Sequence, residues 1–203
     1  MTALRIAPLP AAQDAAALAL LDQALAKDPA LAWYLCSERP AYADRRRAYL
    51  ASYQRFHRDN RMPALAAWRT GRLVGVCYFS AAEQQPDAAS LLRIGEDIRR
   101  HCGADCLARL DGLIAAFDRH LEQTAGDSAR IEFIGTAEDL QGQGIGGALL
   151  GACLAQLDAG GYARVALETA APRNLALYRR HAFQQTGELQ RDGLHLRYLQ
   201  RSR

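Results

Sequence analysis

The chain has 203 residues, half of them hydrophobic and 23% charged, with a formal net charge of +3. That is enough apolar material for one core, at a prior of about 100–200 residues per domain, and it excludes disorder as the main state. With 25 basic against 22 acidic residues, there is no concentrated basic field of the kind that nucleic acid or an anionic membrane requires.

Residues 3–7 alternate as a first strand, and Pro8 and Pro10 break it before an alanine-rich helix over 11–26, which Asp28-Pro29 ends. A second helix over 39–58 carries Tyr42, Tyr49, Tyr53 and Phe56 as one aromatic face, with Arg45, Arg46 and Arg47 read as its solvated side. Strands over Ala64–Arg69 and Arg72–Ser80 follow, joined at Thr70-Gly71 in hairpin spacing. Residues 86–123 turn helical again, with apolar residues at three- and four-residue steps and an interruption around Gly103, hence two helices. The last third alternates: strand Ala129–Thr136, helix 144–159, strand 163–168, a short helix over 173–181, then strands 183–189 and 194–200 through Asp192-Gly193. Strands that first meander and then alternate with helices imply a mixed α/β sheet in one domain.

No apolar run approaches the roughly 20 residues of a membrane helix, and Arg5 followed at once by Pro8 and Pro10 is no signal peptide. A cytoplasmic location is therefore expected, without nucleic-acid or membrane partners; a homodimer stays open. Five scattered cysteines (Cys36, Cys77, Cys102, Cys106 and Cys153) suit reduced, buried thiols better than a disulfide framework. His101, Cys102 and Cys106 lack the further convergent ligands a zinc site needs, so no metal is expected.

Chemistry concentrates in Gln141-Gly142-Gln143-Gly144-Ile145-Gly146-Gly147, between a strand and an apolar helix. Glycines there permit close approach of a ligand, and the N–H groups at the helix start form an anion site suited to phosphate. Gly142, Gly144 and Gly147 also satisfy G-x-G-x-x-G, and Glu168 could imitate a ribose-binding acid. Against that dinucleotide reading, Ala137 to Gln141 intervene between strand and glycines, and only 56 residues follow Gly147.

Gln141, Gly144 and Gly146, at the proper distance after a strand, resemble motif A (Q/R-x-x-G-x-G/A) of the GNAT superfamily of acyl-CoA-dependent N-acetyltransferases. Residues 167–183 resemble its motif B, in which an asparagine (Asn174) precedes a tyrosine (Tyr178) and a Gly-Phe pair opens the next strand. The Ala-Pro-Arg-Asn-Leu stretch from Ala171 to Leu175 and a helical insertion over 86–123 look most like the puromycin N-acetyltransferase type. The resemblance implies one domain over 1–203 whose mixed sheet splays open at an acyl-CoA site and is flanked by helices. It implies acetyl-CoA as co-substrate, with its pyrophosphate on the N–H groups of Gln141 to Gly147 and its pantetheine along Ile134, Gly135 and Thr136. It also implies direct transfer of the acetyl group to the amine of a small molecule.

Tyr178 matches the family's general acid, because a phenol keeps its proton at neutral pH yet can donate it to a departing thiolate. On residue grounds alone it reads as a core aromatic. Asn174, one turn earlier, would bond the pantetheine or simply start the helix. Gly135 marks either a close backbone approach or packing against a helix. Glu132 is the candidate base. By strict alternation it shares a face with Arg130, Ile134 and Thr136, either at a sheet opening or paired with a cation. Glu168, at a strand's carboxyl end, is the second candidate, and His181 reads as a surface residue. Ala182 stands where the family places glycine, which removes the residue best suited to a left-handed helix end. Two other readings remain: a CoA-binding regulator without transfer, and a nicotinamide-dinucleotide enzyme.

Overall fold

The computed structural model describes residues 3–81, 84, 86–124 and 128–203. Its strands are β1 (Arg5–Pro8), β2 (Ala64–Arg69), β3 (Arg72–Ser80), β4 (Ala129–Thr136), β5 (Arg164–Thr169), β6 (Gln184–Arg191) and β7 (Leu194–Ser202), in the sheet order β1-β2-β3-β4-β5-β7-β6. The β4–β5 pair is parallel and the other neighbours run antiparallel. Helices are α1 (Asp14–Ala24), α2 (Pro29–Tyr34), α3 (Tyr42–Asp59), α4 (Ala88–His101), α5 (Ala104–Thr124), α6 (Ile145–Ala159) and α7 (Leu175–Arg180).

The sheet separates two apolar layers, as period-2 side chains on central strands require. One layer joins α1 to α5 through Leu20, Leu31, Tyr49, Ile98 and Leu113 to Val76, Tyr78 and Tyr198. The other packs α6 and α7 through Leu149, Leu150, Cys153 and Tyr178 against Cys77, Phe79, Val165 and Leu167. The five cysteines are free and buried.

Local chemistry explains where the elements differ from the sequence reading. The first helix ends at Ala24, before Asp28-Pro29 as expected, but a second, short helix follows at once. The Asp28 carboxylate accepts the N–H groups of Ala30 and Leu31, both at 3.0 Å, and so starts α2 with Pro29 in its first turn. The arginine run is only partly a solvated face, since Arg47 is exposed but Arg45 and Arg46 turn inward. Arg46 is buried on Asp22 at 2.8 Å, Arg47 reaches the same carboxylate at 3.3 Å, and Arg45 donates to the Leu35 and Cys36 carbonyls at 2.9 and 2.8 Å. Both hairpin turns carry left-handed pairs, Thr70-Gly71 (φ 52° and 78°) and Asp192-Gly193 (φ 46° and 82°), whose twist matches that of the strands.

Candidate functional site

The site is created by a fork in the sheet. Strands β4 and β5 pair only at Ala129↔Val165 and Arg130↔Ala166, and then part. From Ile131 to Thr136, β4 stays bonded to β3 on one side, through rungs such as Ile134↔Cys77 and Thr136↔Gly75. Its other edge faces the gap, so backbone groups at Ile134, Gly135 and Thr136 are available to an extended ligand.

A cavity of about 360 Å³ lies beside this free end of β4, lined by Ile134, Gly135, Thr136, Gln141, Gly142, Gly144 to Gly147, Asn174 and Tyr178. The fold thus brings together all the sequence-predicted cofactor residues except Gln143, whose side chain turns away to accept from Arg69 at 2.5 Å. Gly142 and Gly144 hold φ of 78° and 81°, a region side chains avoid. Ala148 N–H closes the first intrahelical bond of α6, onto Gly144 O at 2.9 Å. The preceding N–H groups are the unsatisfied donors of a helix start. A Cβ on Gly146 would meet its nearest protein atoms, Thr136 Cγ2 and Leu177 Cδ2, only at 3.7 and 3.8 Å. Those are ordinary contacts, so a methyl fits there, and at Gly142 and Gly144 a Cβ would meet no protein atom within 4 Å. Gly135 differs, since its Cβ would strike Leu21 Cδ2 at 2.9 Å and Ala24 Cβ at 3.0 Å, which makes it a close-packing glycine under α1.

Arg173, Leu177 and Arg180, with Asp28 from the start of α2, also line the cavity and were missed in the sequence. Their signal was present: 173, 177 and 180 fall on one helical face beside 174 and 178. Asn174 precedes α7 as the last residue of a 3₁₀ turn, and Tyr178 is buried within it. Burial first, then the nearby Cys77 and Asp28, pushes the Tyr178 hydroxyl pKa well above that of an ordinary phenol. His181 is not a simple surface residue; it is half-buried, with its ring against Gly147 and Gly151 of α6.

The two carboxylates flank the fork. Glu132 lies two residues beyond Arg130 and Glu168 two beyond Ala166, the last paired rung. Strict alternation fails at Glu132, because Tyr78 pairs with Phe133 and Phe79 with Ile131, leaving Glu132 as the extra residue of a β-bulge. Phe133 consequently packs with the α1–α5 layer and Ile134 with the α6–α7 layer. Glu132 therefore shares its face with Arg130, Phe133 and Gly135, not with Ile134 and Thr136. It accepts the Ser80 hydroxyl at 2.6 Å, while Arg130 pairs with Asp118 of α5 at 2.7 Å.

Glu168 has its pKa pushed up to about 8, first by lost hydration and then by Glu132, with Arg130 opposing. Its surface is nonetheless exposed. Its carboxyl is reached by water while the neighbouring protein atoms crowd out much of its hydration shell. Tyr34, Tyr49, Tyr53 and Phe133 line this side, with ring centroids 5.3 Å apart for Tyr34–Tyr49 and 4.7 Å for Tyr53–Phe133.

Among the described strands the sheet is antiparallel except at β4–β5, and it forks there, with a glycine cradle on one side and carboxylates on the other. The chain belongs to the acetyltransferase (GNAT) family, whose model matches residues 27–183, and is by that membership an N-acetyltransferase. No curated protein sequence matches it. Among solved structures it resembles the histone acetyltransferase HPA2 and related acetyltransferase of Corynebacterium glutamicum, with 18% identity, TM-score 0.70, and 100% of this chain and 97% of that chain covered. It also resembles the ribosomal-protein-alanine N-acetyltransferase of Brucella melitensis, with 19% identity, TM-score 0.60 and coverage of 98% and 99%. A third is yncA from Salmonella typhimurium, solved with its cofactor acetyl-CoA, with 14% identity, TM-score 0.59 and coverage of 99% and 94%. At these identities the likeness is one of fold. The single parallel pair among the described strands does not suit the dinucleotide reading, which requires a doubly wound parallel sheet.

Proposed function

We propose that the whole chain, as one domain with α4 and α5 inserted before β4, moves the acetyl group of acetyl-CoA directly to the amine of a small molecule. The observation that carries this is the fork, which joins an open N–H cradle, a free strand edge and a buried phenol to a pair of carboxylates. No described helix is long and apolar enough to cross a membrane, and five free buried thiols suit the reducing cytoplasm.

The residues fit the co-substrate, since no protein atom comes within 4 Å of where a Cβ would stand on Gly142 or Gly144. The N–H groups from Gln141 to Gly147 would hold its pyrophosphate, with Arg180 and the Gln141 side chain beside them. The edge of Ile134 to Thr136 and Asn174 would hold the pantetheine. Bound there, acetyl-CoA supplies the thioester carbonyl that a neutral amine attacks. Glu132 and Glu168 take up the ammonium proton as a coupled pair, Glu132 being steadied by Ser80. Tyr178, whose raised pKa keeps it protonated at neutral pH, donates to the departing thiolate.

Thermal melting with ligand tests the cradle. Acetyl-CoA at 100 times its dissociation constant is expected to add about 2.7 kcal/mol and raise Tm, with NAD giving no shift. Thiol release then tests transfer. Tyr178→Phe is expected to keep the acetyl-CoA melting shift and lower turnover about 100-fold. Undiminished turnover removes the acid role, and binding without turnover of any amine leaves a CoA-binding regulator.

A further inference from the structure

The face of the fork opposite the α6–α7 layer shows what kind of amine it accepts. Glu132 and Glu168 stand on either side of the gap, at the same level past the last paired rung, and both lie on the face covered by α1 to α5. Arg130, the arginine one rung below on β4, is held by Asp118 at 2.7 Å, with its guanidinium 5.5 Å from the Phe117 ring centroid. Elsewhere on this layer Arg46 and Arg47 share Asp22, and Arg45 is bound to backbone carbonyls. The walls are aromatic: Tyr49 and Tyr53 both pack edge-on to Phe133, and Tyr34 abuts Tyr49. An independent sign is Tyr198, cross-strand partner of Glu168 on β7. It is only 4% exposed, yet its hydroxyl lacks a hydrogen-bond partner among the described residues.

Glu132 beside these packed rings attracts an ammonium by charge and by the ring quadrupoles, Glu168 adds its charge as pH rises toward 8, and an orphaned phenol oxygen offers a further acceptor. An acid group carried by the same molecule would meet Glu132 instead, and increasingly Glu168 as pH rises, with Arg130 already engaged, and would be repelled. From this we infer that the acceptor is a cationic alkyl or aralkyl amine bearing no carboxylate or phosphate of its own. The inference rests on the acetyl-transfer reading and names its substrate class.

The test compares three amines of matched length, butylamine, 1,4-diaminobutane and 4-aminobutanoate, at saturating acetyl-CoA. The first two are expected to exceed 4-aminobutanoate about tenfold or more in kcat/KM, with the gap narrowing as salt screens the carboxylates. A binding measurement stands beside it. Titrated calorimetrically into the CoA-saturated protein, butyltrimethylammonium, which cannot be acetylated, is expected to bind, and pentanoate is not. Equal or better use of 4-aminobutanoate, failure to acetylate any of the three, or binding of pentanoate in preference to the cation overturns the inference. The acetyl-CoA melting shift separates the two levels. If it is present while the amine order fails, only the acceptor class falls; if it is absent, the acetyl-transfer reading falls and takes this inference with it.

Discussion

Glu168 is the residue at which environment most changes chemistry. Its ordinary value is 4.5, and in the fold it titrates near 8 because of lost hydration, Glu132, Asp28 and Asp118, against the pull of Arg130. Below about pH 4.5 the carboxyl is protonated whether the chain is folded or not, and it contributes nothing to the pH dependence. Between 4.5 and 8 the unfolded chain loses this proton while the folded chain keeps it, so this group makes stability fall as pH rises. Glu168→Gln is expected to flatten that slope in urea titrations run from pH 5 to 8. The kinetic counterpart is a limb of kcat/KM that rises with pH toward about 8 in the wild type. In Glu132→Gln, with the neighbouring charge removed, that limb is expected at lower pH, because Glu168 then ionises more easily. A limb that stays put would show that the carboxylates do not act together.

At the scale of elements, the N-terminus of α6 and the C-terminus of α7 give opposite expectations for glycine and alanine. Gly146→Ala places a methyl in space that no protein atom contests and improves helix propensity, so Tm is expected to hold or rise. The same methyl would occupy the cradle, and the acetyl-CoA melting shift is expected to disappear. Retention of that shift would mean the ligand does not lie there. Ala182 holds the left-handed conformation at φ 63° that glycine adopts without strain, so the end of α7 carries that strain in the fold. Ala182→Gly is expected to stabilise by about 1 kcal/mol, visible as a Tm rise of about 2–4 °C without change in turnover. These terminal details were legible in the sequence, where the run of glycines and the Ala-Phe pair stand out. The bulge at Glu132 was not, because alternation offers no local sign that an extra residue will be accommodated. It depends on how Tyr78 and Phe79 of β3 align with β4.

For the whole molecule, the helices on the Glu132–Glu168 face of the sheet are tied together by buried charge as well as by apolar packing. Asp22 of α1 is 5% exposed and Arg46 of α3 is 8% exposed, 2.8 Å apart. Asp22→Ala leaves a buried guanidinium uncompensated and is expected to cost about 3–5 kcal/mol in chemical denaturation. A loss below 1 kcal/mol would mean the pair is hydrated. The sequence by itself determined the order of the elements, the glycine loop, the Asn174–Tyr178 face and the family, because these depend on neighbours within a few residues and on backbone freedom. Only the tertiary structure decided that β4 and β5 part beyond Arg130 and Ala166, that Glu132 and Glu168 face each other across the gap, and that Arg45 and Arg46 are engaged rather than solvated. Those facts join residues 10 to 36 positions apart (Arg45 with Leu35, Glu132 with Glu168). At such separations, pairing is set by packing and burial of charge, which no local periodicity records.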